Sequence, residues 1–242
     1  IKFEKNMKIL IMCGGYGSRM GKISKNIPKP LVEIDGLPIL HHKINNYYKQ
    51  GYSKFILAVG YKKELIINYI NKTDFPNEIK IEYSDAGEAA GILERIYIAS
   101  SLFGENVILT YGDTFTDIQL DSLIHHHKSS DNEVTIVSAP FKNPFGLIKT
   151  NINNKVLSFV EKPILQYYIG YAVINKNVFN YISKYTIKEK DGIGIIKLYE
   201  KLIRDNKLGS YPFNGLDVTF NTPSELEKAK EKIVNFYTLK EK

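Results

Sequence analysis

Residues 9–34 read ILIMCGGYGSRMGKISKNIPKPLVEI. An apolar run leads into Gly14, Gly15 and Gly17, followed by Ser18, Arg19 and a lysine, Lys29, between Pro28 and Pro30. Consecutive backbone N–H groups of a glycine-rich turn can surround an anion, and the missing side chains let a phosphate come close. Arg19 supplies a planar bidentate fork and Lys29 a compact point charge. The flanking prolines are expected to hold Lys29 in an extended, restricted segment. This set of groups suits a triphosphate. Spacing rejects two familiar phosphate loops. A dinucleotide fingerprint would need glycine at 20, where the chain has Met20; a P-loop ending at Gly21-Lys22 would need glycine at 16 and Ser or Thr at 23, where it has Tyr16 and Ile23.

A loop of this kind must be carried by a strand, and the chain alternates short β-branched runs with helical patterns. Residues 8–13, 54–60, 79–84, 106–113 and 133–139 read as strands, and 38–50, 64–70, 91–103 and 120–128 as helices. That alternation predicts an α/β fold: a Rossmann-like, mostly parallel sheet with helices on both faces, whose carboxyl edge binds ligands. Beyond 140 the pattern changes to close-set strands at FGLIKT, KVLSFVEK and YIGYAVIN, then helices near 176–185 and 192–206, the strand LDVTF and a final helix from Pro223. This half is expected to complete the same sheet and one side of its cleft. The reading is a single domain over 1–242, with a nucleotide-binding lobe at 1–140 and an acceptor-binding lobe with the closing helix at 141–242.

A formal charge of +7 and a pI near 9.1 allow three kinds of partner, nucleic acid, a membrane surface or a small polyanion, and composition does not choose among them. The lysines are thinly spread, with no Arg-rich helix, no zinc-ligand spacing and no block of five like charges, which argues against nucleic acid and favours small phosphorylated ligands. No run approaches the roughly 18 apolar residues of a membrane span, and residues 1–6 have no secretory character, so a soluble cytoplasmic protein is expected. Met7 followed by KILIMCGG reads as a natural start, which would leave residues 1–6 outside the fold. The single cysteine, Cys13, has no partner in the chain and reads as packing in a reducing compartment. His125 to His127 point about 100° apart on a helix and cannot converge on one ion, so a solvated helix end is expected. Tyr47-Tyr48 and Tyr167-Tyr168 read as half-buried packing.

The segment 7–40 resembles the nucleotidylyltransferase family, which joins a nucleoside triphosphate to a phosphorylated acceptor. That family opens with a strand, G-G-x-G-[ST]-R-[LM], a spacer, P-K-P-[LM] and a G-x-P-[IM]-L helix start; here the match is CGGYGSRM and PKPLVEIDGLPIL. Later segments match in order: AGEAAGIL is similar to the family's glycine loop near the base, LTYGDTFTDI to its metal-binding Gly-Asp, PFGLI and VEKP to its acceptor-side strands, and NTPSELEKA to its closing helix. The resemblance covers nearly the whole chain. TYGD, the FG strand and SFVEKP are most similar to the glucose-1-phosphate cytidylyltransferase branch.

The resemblance implies that an acceptor phosphate attacks the α-phosphorus of a nucleotide and expels pyrophosphate, with Mg²⁺ or Mn²⁺ as cofactor. It implies nucleotide contacts from Gly14, Gly15, Tyr16, Gly17, Ser18, Arg19, Lys29, Gly91, Tyr111 and Gly112, and acceptor contacts from Gly146, Glu161, Lys162 and Gly170. Arg19, Lys29 and Lys162 would be catalytic. Asp113 would hold the metal. The family's second acid falls at Thr219 here, and Asp217, two residues earlier on the same strand face, is the substitute. Ala86 stands where thymine- or uracil-reading relatives carry Gln, which favours CTP, with a GTP-dependent sugar-1-phosphate guanylyltransferase as the alternative. No Asn precedes Gly170, so the acceptor is either a sugar-1-phosphate or a non-sugar phosphate such as phosphoglutamine, as in capsule phosphoramidate synthesis. Surface polysaccharide precursor synthesis is the implied setting. A nucleotide-binding regulatory subunit is the non-enzymatic alternative, and a homo-oligomer is compatible with the sequence.

Overall fold

The central strands are written almost wholly in Ile, Leu, Val and Phe, such as ILIM at 9–12 and KFILAV at 54–59, because both their faces are covered. The computed structural model describes residues 5–240, and the side chains of all of these except Arg19, Lys22 and 234–240. In chain order the strands are β1 (Ile9–Met12), β2 (Glu33–Ile34), β3 (Leu37–Pro38), β4 (Lys54–Val59), β5 (Lys80–Asp85), β6 (Asn106–Tyr111), β7 (Thr114–Thr116), β8 (Val134–Lys142), β9 (Leu147–Thr150), β10 (Val156–Val160), β11 (Ile164–Asn175), β12 (Leu208–Pro212) and β13 (Asp217–Thr219). The α-helices are α1 (Lys22–Asn26), α2 (Ile39–Lys49), α3 (Lys63–Lys72), α4 (Ile92–Ala99), α5 (Leu120–Lys128), α6 (Lys184–Ile187), α7 (Ile193–Arg204) and α8 (Pro223–Lys240).

A seven-stranded sheet has the order β12-β8-β11-β6-β1-β4-β5. Neighbouring strands are parallel from β5 through β4 and β1 to β6. Only β11 runs against the rest, between β6 and β8, while β12 lies parallel to β8 at the edge. Because side chains alternate along a strand, Ile9, Ile11 and Cys13 pack with Leu40, Ile44 and Tyr47 of α2 on one face, and Leu10 packs with Leu93 and Ile96 of α4 and Leu198 of α7 on the other. This is the expected mostly parallel sheet with helices on both faces. A third cluster joins Met20, Val32, Ile34 and Phe115 to Phe220, Leu226 and Ile233, which docks α8 against the loops that follow β1.

The structure departs from expectation at several points. β9 and β10 form a separate two-stranded ribbon with exposed side chains and do not join the sheet. The main sheet is instead completed by β8, β11 and β12. LGSYP, which becomes β12, contains glycine, serine and proline, weak strand formers that an edge strand tolerates. His127 is buried, not solvated: one ring nitrogen lies 2.8 Å from the Thr135 hydroxyl and the other 3.2 Å from Asn106 Oδ1. Residues 5 and 6 also touch the fold, with Lys5 Nζ donating to the Gln50 carbonyl at 2.8 Å and Asn6 Oδ1 accepting from Lys54. Among the described residues no helix is long and apolar enough to cross a membrane.

Candidate functional site

From β1 the chain crosses to β4 on one side, whereas β6 lies on the other, so a crevice opens at the carboxyl ends of β1 and β6. A cleft of about 340 Å³ occupies it, large enough for a small ligand and lined by the glycine loop, Lys29, Pro30, Arg95, the Tyr111–Asp113 turn and Asn221.

Close backbone approach explains several glycines. A Cβ at Gly14 would lie 2.2 Å from Arg95 Nη1 and 2.8 Å from the Val59 carbonyl oxygen; one at Gly112 would lie 2.7 Å from the Met12 carbonyl oxygen. Gly17, at φ +60°, turns the loop into a 3₁₀ helix at 18–20, where Met20 N–H donates to the Gly17 carbonyl at 2.9 Å. Gly15 faces open space. Ser18 also lines the cleft, and exposed Tyr16 packs against Tyr61 with ring centroids 4.9 Å apart. The Arg19 side chain lies outside the described residues.

Lys29 is not extended, as the flanking prolines suggested. Pro28 is extended at ψ 145°, and Lys29–Leu31 form a 3₁₀ turn whose Val32 N–H donates to the Lys29 carbonyl. The turn sends the Lys29 ammonium to Asp113 Oδ2 at 2.7 Å, with side chains 12% and 26% exposed. The same ammonium donates to the Phe220 carbonyl and sits 4.9 Å from the Phe220 ring centroid. Thr219 donates to the Asp113 carbonyl at 3.4 Å. Lys29 and Asp113, far apart in sequence, therefore meet at the cleft.

Two residues that bring a charge or an amide to the cleft, Arg95 and Asn221, were missed in the sequence. Arg95, 5% exposed, lies one helical turn beyond Gly91; it donates to the Val59 carbonyl at 2.9 Å and the Glu88 carbonyl at 3.0 Å. Burial pulls its pKa down, and the nearby Asp85 carboxylate opposes that pull. The helical spacing from Gly91 was the available signal. Asn221 stands just before the Thr-Pro helix start, and its residue type alone gave none. Burial also pushes Cys13 and Tyr111 each up to about 12, which leaves a neutral thiol and a neutral phenol on the cleft wall. Gly91 does not line the cleft. It caps α4, where a Cβ would lie 2.1 Å from the Glu189 carbonyl oxygen.

Of the four residues expected to meet the acceptor, Gly146, Glu161 and Lys162 form a second group. Lys162 Nζ lies 3.7 Å from Glu161 Oε1, and Lys162, 67% exposed at φ +44°, occupies the turn between β10 and β11. Gly146 abuts them, since a Cβ there would lie 3.1 Å from Glu161 Oε2. None of these three lines the cleft. Gly170, at φ +79°, lies in the irregular stretch of β11, where a Cβ would approach Tyr111 to 2.9 Å and the Thr114 hydroxyl to 3.2 Å.

Asp217 is not brought to Asp113. In the β7–β13 pair Thr219 opposes Thr114 and Asp217 opposes Thr116, which sets Asp217 two residues, about 7 Å, farther along the strand. It lines a separate cavity and accepts a hydrogen bond from Tyr167. Among the described residues no three His, Cys, Asp or Glu side chains gather as a cation cage. Asp113 alone still fits Mg²⁺, which commonly binds one or two carboxylates together with substrate phosphates and water.

The match to known proteins follows this geometry. Residues 8–228 match the nucleotidyl transferase family, and the chain belongs to this family of enzymes. It is 30% identical to a probable glucose-1-phosphate cytidylyltransferase of Bacillus subtilis over 91% of this chain and 93% of that one. It is 27% identical to the bifunctional protein GlmU of Methanococcus maripaludis over 95% of this chain, and 26% identical to a mannose-1-phosphate guanyltransferase of Aspergillus oryzae over 90%. The chain spans 55% and 62% of the length of these last two relatives. The fold is shared with HddC from Yersinia pseudotuberculosis (TM-score 0.69, 23% identity, covering 94% of this chain and 99% of that one). It is also shared with a putative glucose-1-phosphate thymidylyltransferase from Bacillus anthracis (TM-score 0.74, 17% identity, covering 93% and 94%).

Proposed function

We propose that this nucleotidyltransferase uses CTP and transfers CMP to a small phosphorylated acceptor, releasing pyrophosphate. The observation that carries the reading is the Lys29–Asp113 pair at 2.7 Å, set where the glycine loop meets the carboxyl ends of β1 and β6. The acceptor phosphate is already anionic, so its oxygen attacks the α-phosphorus without a general base, and the bond to the pyrophosphate oxygen breaks. The protein must then supply alignment and charge neutralisation. In this reading the N–H groups of 14–18, with Arg19, hold the triphosphate. Lys29 faces charge developing at the α-phosphate, and Arg95 adds a buried cation to the cleft wall. Asp113 would hold Mg²⁺ or Mn²⁺, which when bound neutralises phosphate charge. Glu161 and Lys162, with Gly146 and Gly170, would receive the acceptor at the other end.

The cytidylyltransferase relative that is matched along nearly its full length supports CTP, as does Ala86, which offers no side-chain amide to thymine or uracil. The acceptor is a sugar-1-phosphate or phosphoglutamine, and the setting is cytoplasmic synthesis of surface polysaccharide precursors. The test is pyrophosphate release with Mg²⁺ across CTP, GTP, UTP, ATP and dTTP, each against sugar-1-phosphates and phosphoglutamine. Release with CTP and one acceptor, lost in Asp113→Asn and Lys162→Ala, is expected. Release only with GTP would replace CTP by a guanylyl reading. CTP binding with no release against any acceptor would point to a regulatory subunit.

A further inference from the structure

Lys43, on α2, is 2% exposed and has no part in the chemistry above. Its ammonium donates to three neutral acceptors: the Thr110 hydroxyl at 3.0 Å, the Thr114 carbonyl, and the Tyr171 hydroxyl at 3.2 Å. The rings of Tyr171, Phe115 and Tyr47 surround it, with centroids 5.1, 5.5 and 5.6 Å away. A buried ammonium is costly unless hydrogen bonds and ring faces replace water, and a methionine or leucine would fill this space at no such cost. Burial raises the Tyr171 phenol, and the Lys43 ammonium together with the Thr110, Thr116 and Tyr47 hydroxyls more than offsets it, so the phenol lies below its ordinary value.

The placement of the acceptors says what the cation does. Thr110 and Thr114 bracket the Tyr111-Gly112-Asp113 turn, so one ammonium ties down both of its ends. Gly112 N–H pins the middle to the Met12 carbonyl at 3.1 Å. The same helix also holds the segment after Lys29, because Ile39 N–H donates to the Val32 carbonyl at 3.0 Å and the His42 ring N–H to the Ile34 carbonyl at 2.6 Å. We infer that Lys43 is a positioning residue, whose buried ammonium fixes the Asp113 turn to α2 and so sets the Asp113 carboxylate against Lys29 in the cleft. The inference rests on the reading that Asp113 serves the transfer reaction.

The test compares Lys43→Met and Thr110→Val with Ile124→Val, a core change on α5 away from the turn. Each variant is measured by thermal melting, by hydrogen exchange at the Gly112 amide, and by steady-state pyrophosphate release with the pair the wild type uses. In Lys43→Met, Gly112 exchange is expected to accelerate and kcat to fall about 10- to 100-fold with a much smaller change in nucleotide KM, as for a misplaced group. Thr110→Val should move both readouts in the same direction by less. Ile124→Val should lower the melting temperature and leave both in place. If Lys43→Met fails to fold, Thr110→Val against Ile124→Val decides. Losses that follow the melting temperature equally in all variants, or unchanged Gly112 exchange in a folded Lys43→Met, would overturn the inference. If the wild type releases no pyrophosphate, the proposed reaction fails, and the exchange measurement alone decides the role of Lys43.

Discussion

Gly112→Ala asks whether the cleft depends on the close backbone approach that brings the Asp113 turn to β1. The added Cβ would lie 2.7 Å from the Met12 carbonyl oxygen and 3.3 Å from Pro30 Cγ. Even a close carbon–oxygen contact is about 3.3 Å, so the overlap is about 0.6 Å. Neither neighbour yields easily: Met12 lies in β1, paired on both sides, and Pro30 is a buried ring. The relief must come from the turn itself, through loss of the Gly112 N–H to Met12 bond and displacement of Asp113. Overpacking costs about 1–3 kcal/mol and the lost hydrogen bond about 1 kcal/mol more. For a domain of this size, where 1 kcal/mol moves the melting temperature by about 2–4 °C, the expected drop is about 5–15 °C. A displacement approaching 1 Å at Asp113 should also lower kcat about 10- to 100-fold. Thermal melting and pyrophosphate release measure the two effects. A variant that melts within about 1 °C of wild type and turns over normally would refute the argument.

Gly15→Ala is the contrasting change: its Cβ meets nothing within 4 Å, so melting should hold while nucleotide KM rises, because the methyl group occupies space a phosphate needs. Equal nucleotide affinity would count against the phosphate-loop reading. His127, held down to about 4 by burial and by the neighbouring His126 and Lys128 charges, remains neutral in the folded protein, whereas the unfolded chain binds a proton below about 6.5. Its effect on stability is nil above pH 6.5 and is a loss that grows to about 3 kcal/mol as the pH falls from 6.5 toward 4; in denaturant melts, His127→Gln should remove that part of the acid slope. Cys13, buried with its thiol pushed up to about 12, should resist iodoacetamide at pH 8 in the folded protein and react in denaturant, as read by mass spectrometry.

The sheet was legible in the sequence because its strands are buried on both faces and spelled in β-branched residues, with helices of clear period between them. The glycine loop was legible because backbone contacts such as that of Gly14 with the Val59 carbonyl admit no side chain. The ribbon at 147–160 was misassigned to the sheet because an apolar strand pattern does not say which partner it finds. Arg95 and Lys43 escaped notice for a related reason. A charged residue on a helix reads as solvated, and only the fold reveals that a guanidinium and an ammonium point inward to carbonyls and hydroxyls. Asp217 shows the limit of strand-face reasoning: the shared face with Thr219 was right, and the register left it opposite Thr116.

A split of the chain near residue 140 separates residues that the fold joins at Lys29. The ammonium that faces Asp113 is also held by the Phe220 carbonyl and ring, and Asn221 lines the same cleft, so the C-terminal segment helps build the cleft. Phe220 is in turn packed with Met20, Val32 and Leu226, which makes the docking of α8 part of the geometry of Lys29. Glu161 and Lys162, by contrast, stand on an exposed turn and contact each other at 3.7 Å. The cleft is thus constrained by backbone contacts and a packed core, whereas the Glu161–Lys162 turn rests on exposed side chains. Changes at the Glu161–Lys162 turn therefore disturb little packing.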